Sequence, residues 1–150
     1  MASESTQSEA TILAVDDEVI YLLVLEDLLK DHYQVHIEAS GQGALAYLEA
    51  GGKADLILLD IMMPDMDGFE VCRRIKADPQ RQDVPILFLT GMEGSTDEEI
   101  GLSLGATDFM HKPFNPPVVL ARIRNNLRCA MVFKQLHALG IEPSVVPGRG

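Results

Sequence analysis

The chain has 150 residues, 47% of them hydrophobic, and a formal net charge of −11. This length suits one domain with short tails, and this apolar share excludes a chain disordered throughout. The acidic balance excludes unassisted nucleic-acid binding, which needs clustered Lys and Arg, and favours partners with basic or apolar patches.

Residues 1–10 are polar and lack the basic-then-apolar order of a signal peptide, so they read as a flexible N-terminal segment. Residues 11–15 are short, apolar and strand-like. A helix is expected over 18–30, with Leu22, Leu25, Leu28 and Leu29 at helical spacing and Glu26, Asp27 and Lys30 opposite. Residues 34–38 form a second strand, and 41–49 a helix stopped by Gly51-Gly52. The third strand is placed at 55–59 and the third helix at 69–76, closed by Asp78-Pro79. Residues 84–89 make a fourth strand, where Pro85 suits a strand start.

Ser95 with Glu98, and Thr96 with Glu99, offer capping boxes for a fourth helix reaching about Leu104. Gly91, Gly94, Gly101 and Gly105 surround or interrupt that helix, and each interior Gly costs about 1 kcal/mol against Ala. A fifth strand follows at 107–110, and a long helix begins near Pro116. Strands and helices in alternation, with fully apolar central strands, predict an α/β fold: a doubly wound five-stranded parallel sheet in three layers. No apolar run is long enough to cross a bilayer, so no membrane contact is expected. Cys72 and Cys129 have neither metal-ligand spacing nor a disulfide pattern, which suits a reducing cytoplasm.

The chemistry gathers at the strand ends. Asp16 and Asp17 follow the first strand, Asp60 the third, Thr90 the fourth and Lys112 the fifth. In an open parallel sheet these positions share one edge, where such folds bind ligands. Unit charges about 4 Å apart repel by roughly 4 kcal/mol at an effective dielectric near 20. Converging carboxylates therefore call for a hard divalent cation such as Mg²⁺. Taken singly, each residue also has an ordinary explanation. Asp16 or Asp17 would cap a helix, residues 64–68 would make a tight turn, and Thr90 would end a strand. Lys112 would be a solvated surface lysine and Phe109 a core residue.

Together these residues resemble the receiver domain of two-component response regulators, over about residues 11–128. The resemblance is carried by Asp16-Asp17, by Asp60 with Met63-Pro64-Asp65-Met66-Asp67-Gly68, by Thr90, and by Phe109 with Lys112-Pro113. It implies strand order 2-1-3-4-5 and a signalling module that assists only its own phosphorylation and dephosphorylation. Asp60 would accept a phosphoryl group from a sensor histidine kinase or a histidine phosphotransfer protein. Asp16, Asp17, Asp60 and the Met62 backbone carbonyl would hold Mg²⁺ or Mn²⁺, and Lys112 would steady the phosphoryl oxygens. Thr90 and Phe109 would switch the face made by the fourth helix, fifth strand and fifth helix. The Lys112–Pro113 bond is expected to be cis.

Gly91 departs from the family's more usual Ala. Met62 and Met92 stand two residues after Asp60 and Thr90, positions that in the family border the route of water to the acyl phosphate: either they merely pack on neighbours, or, being apolar, they fail to orient that water and the phosphoryl group is long-lived.

Leu120, Ile123, Leu127, Met131 and Leu136 carry the last helix past the sheet, giving an extension over 129–140 before a disordered tail at 141–150. That extension would pair two copies, lead to an output domain, or fold back on its own domain. Too few residues follow for a further module, so output is expected from a partner or a continuation.

Two rival classes fit less well. A phosphatase using an aspartyl-phosphate intermediate, of the haloacid dehalogenase kind, would have Asp-x-Asp after its first strand and a cap insertion. A flavin-binding carrier would cradle phosphate after the first strand, where Asp16-Asp17-Glu18 repels it.

Overall fold

The computed structural model describes residues 10–91, 103 and 105–141. The expected fourth helix, apart from Ser103, lies outside the described residues, as do Met92, residues 1–9 and residues 142–150. The elements run β1 (Thr11–Val15), α1 (Val19–Leu29), β2 (Gln34–Glu38), α2 (Gly41–Glu49), β3 (Leu56–Asp60), α3 (Gly68–Lys76), β4 (Ile86–Thr90), β5 (Asp108–His111) and a C-terminal helix, Pro116–Ala138.

The strands pair in parallel in the order β2-β1-β3-β4-β5. Side chains alternate between the faces of a strand, so each apolar run feeds two cores. Leu13, Val15, Ile57, Leu59 and Phe88 pack with Ala44 and Leu48 of α2 and Val71 and Ile75 of α3. Ile12, Ala14, Leu56, Leu58 and Leu87 pack with Leu22, Leu25 and Leu29 of α1 and Val119 and Ile123 of the C-terminal helix. Helices thus cover both faces, which explains why β1 and β3 are buried throughout while edge strand β2 is only half-buried.

The structure moves three expected strands along the chain. β3 runs to Asp60, β4 to Thr90 and β5 to His111, because the ladders pair Asp60 with Leu89 and Thr90 with His111. Polarity suggested an earlier stop, but hydrogen bonding to a neighbouring strand does not depend on side-chain polarity. Cys72 is buried in the α2–α3 core. No helix among the described residues is long and apolar enough to cross a membrane.

Candidate functional site

Parallel pairing brings every carboxyl-terminal strand end to one edge of the sheet. Val15 of β1 pairs with Leu59 of β3, so the next residues, Asp16 and Asp60, stand side by side. Lys112 follows β5, and its backbone N–H donates to the Thr90 carbonyl at 2.8 Å. Two strand spacings, roughly 10 Å in all, separate β5 from β3. A side chain from the end of β5 therefore needs the length of a lysine to reach Asp60.

Asp16, Asp17 and Asp60 each present an oxygen within 4.8 Å of the others. Asp16 and Asp60 are buried and Asp17 is exposed, so the cluster opens to solvent on one side. The Lys112 Nζ lies 2.8 Å from Asp16 Oδ2, 3.1 Å from Asp60 Oδ1 and 3.4 Å from Glu18 Oε1. Its side chain is 7% exposed, which removes the solvated-lysine reading. Asp16 does not cap α1, whose N-cap is Glu18 with no side-chain cap bond; its Oδ1 instead accepts the Glu18 N–H at 2.9 Å in the turn before the helix.

The electrostatics are unbalanced. Burial, then the Asp16 charge, push the Asp60 carboxyl up to about 7, against the pull of Lys112. Burial lowers Lys112, but Asp16 and Asp60 outweigh it and the net shift is upward. One ammonium cannot neutralise three carboxylates. Buried Asp16 Oδ2 accepts no hydrogen bond of good geometry among the described residues, although the ammonium is close. An all-oxygen set with excess negative charge fits a hard divalent cation.

The turn after β3 is shaped by two residues. Gly68 donates its N–H to the Ile61 carbonyl at 2.8 Å, and a Cβ there would stand 2.2 Å from the Asp60 carbonyl oxygen. Asp65 takes φ +70°, which Asp tolerates better than most residues. Asp67 then caps α3, accepting the Glu70 N–H at 2.9 Å. Met62 begins this loop with its side chain 72% exposed.

Thr90 is buried at the end of β4. Phe109 is also buried, its ring 5.8 Å from that of Phe88, which meets Phe69 edge-on at 5.3 Å. The Lys112–Pro113 bond is cis.

Three neighbours of the site were not singled out from sequence. Glu18 approaches Lys112, the Tyr21 ring lies under the Lys112 ammonium at 4.2 Å, and Phe114 meets Tyr21 edge-on at 5.6 Å.

Residues 12–124 match the sequence model of the response regulator receiver domain. The chain is 39% identical over 143 residues to the response regulator PleD of Caulobacter vibrioides, covering 93% of this chain and 31% of PleD. It is 42% identical over 118 residues to the alkaline phosphatase synthesis transcriptional regulatory protein PhoP of Bacillus subtilis, covering 78% of this chain and 48% of PhoP. The match thus spans about a third of the one relative and half of the other. Among solved structures, the chemotaxis protein CheY4 of Vibrio cholerae superimposes with a TM-score of 0.75 at 34% identity, covering 79% of this chain and 98% of that one. A CheY-like receiver domain protein of Methanospirillum hungatei gives 0.76 at 30% identity, covering 83% and 98%. With the 2-1-3-4-5 parallel sheet and the acidic cluster at its carboxyl edge, these matches show that the chain belongs to the receiver-domain family of two-component response regulators.

Proposed function

We propose that Asp60 is the phosphoacceptor of a receiver module spanning residues 11–128. A carboxylate oxygen of Asp60 attacks the phosphorus of a phosphohistidine on a sensor histidine kinase or phosphotransfer protein. A P–O bond forms, the P–N bond breaks, and the electron pair leaves with the imidazole nitrogen. The observation that carries this reading is the convergence of Asp16, Asp17 and Asp60, with the Lys112 ammonium against Asp16 and Asp60.

Asp16, Asp17, Asp60 and the Met62 carbonyl are the candidate holders of Mg²⁺ or Mn²⁺. When bound, that ion neutralises the carboxylates and stabilises charge on the phosphoryl oxygens. The chain's own contribution is alignment: Lys112 holds one phosphoryl oxygen, and Asp60 stays in place through β3 and the Gly68 turn.

The acyl phosphate is then read out through Thr90 and Phe109. Thr90 turns toward the phosphoryl group and Phe109 fills the space released, biasing the face that includes β5 and the C-terminal helix. That face is braced by Asp108 on β5, whose carboxylate accepts from Arg122 Nη1 at 2.8 Å and Asn126 Nδ2 at 3.2 Å. Protein partners suit the surface. α1 exposes Val19, Ile20, Leu23 and Val24 beside the site, and the last helix exposes Met131 and Phe133, where a homodimer would form.

The test is incubation with Mg²⁺ and acetyl phosphate, read by intact mass for wild type and Asp60→Asn. The expected result is a phosphoryl adduct on wild type alone. An equally labelled Asp60→Asn, or a wild type that takes no label, overturns the assignment.

A further inference from the structure

We infer that Tyr21 is a positioning residue for phosphoryl transfer, its ring face keeping the Lys112 ammonium beside Asp60 while the N–H donors change partners. This rests on the reading of Asp60 as phosphoacceptor.

The argument starts from competition for one cation. Asp16 at 2.8 Å and Glu18 at 3.4 Å both draw the ammonium toward the start of α1, while Asp60 lies at 3.1 Å. To serve an incoming phosphoryl oxygen, Lys112 must give up at least one of these carboxylates. A lysine stem has four rotatable bonds, and a freed ammonium readily moves away from the site. The Tyr21 ring, with its centroid 4.2 Å from Nζ, attracts the cation without carrying a charge. Such a face cancels none of the ammonium's positive charge and imposes no single donor direction, so the N–H groups re-aim while the nitrogen stays.

The ring is itself well seated. Tyr21 lies in the first turn of α1, where its N–H donates to the Glu18 carbonyl at 3.0 Å. The ring also meets Phe114, at 77° between ring planes. Phe114 is two residues beyond Lys112, so this contact ties the lysine's own loop to α1.

The experiment compares Tyr21→Phe, which keeps an aromatic face, with Tyr21→Leu, which keeps apolar bulk alone. The rate of Asp60 phosphorylation by acetyl phosphate is followed across donor concentration, with melting temperature and Mg²⁺ affinity measured alongside. Tyr21→Leu is expected to slow the saturated rate about ten-fold with little change in half-saturating donor. Tyr21→Phe should stay within about two-fold of wild type. A leucine variant as fast as wild type, or a phenylalanine variant as slow as leucine, overturns the inference.

If Tyr21→Leu does not fold, tyrosine emission decides, since the chain has three Tyr and no Trp. The difference between wild type and Tyr21→Phe isolates the Tyr21 signal. That signal is expected to change when Mg²⁺ and beryllofluoride are added together, and an unchanged signal overturns the inference. A wild type that takes no label sinks the Asp60 reading itself; a labelled wild type matched by Tyr21→Leu sinks only the role given to Tyr21.

Discussion

Asp60 destabilises the fold that holds it. Its folded-state value of about 7 lies above the ordinary carboxyl value of 3.8 that serves for the unfolded chain, mainly through burial and then Asp16. Well below pH 3.8 both states are protonated and the site is neutral to stability. As pH rises toward 7 the unfolded chain loses the proton first, so the folded state is progressively penalised, by a few kcal/mol once pH exceeds about 7. In Mg²⁺-free buffer, Asp60→Asn is therefore expected to raise the melting temperature most at pH 8, less at pH 5 and little at pH 3. A gain of equal size at all three pH values would contradict this account. Met62 bears on the lifetime of the proposed acyl phosphate. Exposed beside Asp60, it cannot hydrogen-bond to an attacking water. Replacing it by Asn is expected to shorten the aspartyl-phosphate lifetime about five-fold, the worth of roughly 1 kcal/mol from one hydrogen bond. Loss of label over time after donor removal measures it.

The β3–α3 turn is the element on which the site depends most. It must carry the chain from a buried strand end to a capped helix within a few residues, and Gly68 passes against the Asp60 carbonyl to do so. Gly68→Ala has no soft neighbour to displace, because the obstructing atom is backbone. The expected loss is about 1–3 kcal/mol of stability by denaturant unfolding, with slower phosphorylation as Asp60 shifts. A variant of wild-type stability and rate would show that the turn has slack. At the far end of α3, Lys76 Nζ donates to the Gln82 carbonyl at 3.0 Å and the Val84 carbonyl at 2.7 Å. Those bonds lead the chain into β4, so α3 is fixed at both ends.

Among the described residues, the C-terminal helix runs past the sheet that it covers. Val119 and Ile123 are buried and Leu127 is partly buried, whereas Met131, at 59% exposed, and Phe133, at 53%, face outward. The helix is continuous to Ala138. Apolar side chains on a helix beyond its core mark an interaction surface. With Mg²⁺ and beryllofluoride, sedimentation is expected to show association that Phe133→Asp weakens at least ten-fold, about 1.4 kcal/mol or more. Unchanged association in that variant would move the contact to another surface.

The sequence by itself determined the order of elements and the edge at which the chemistry collects. Period-two and helical spacings are local, and in a parallel sheet Asp16, Asp60, Thr90 and Lys112 share an edge once the strands are found. The tertiary structure alone decided what surrounds them. The burial of Lys112 depends on packing around β5, and the Tyr21 ring and Glu18 reach it from α1, far away in sequence. The requirement for glycine at 68 comes from a backbone oxygen eight residues earlier, and the exact strand ends come from neighbouring ladders. Spacing along one chain encodes which side chains share a face; distances between faces exist only after the elements have packed.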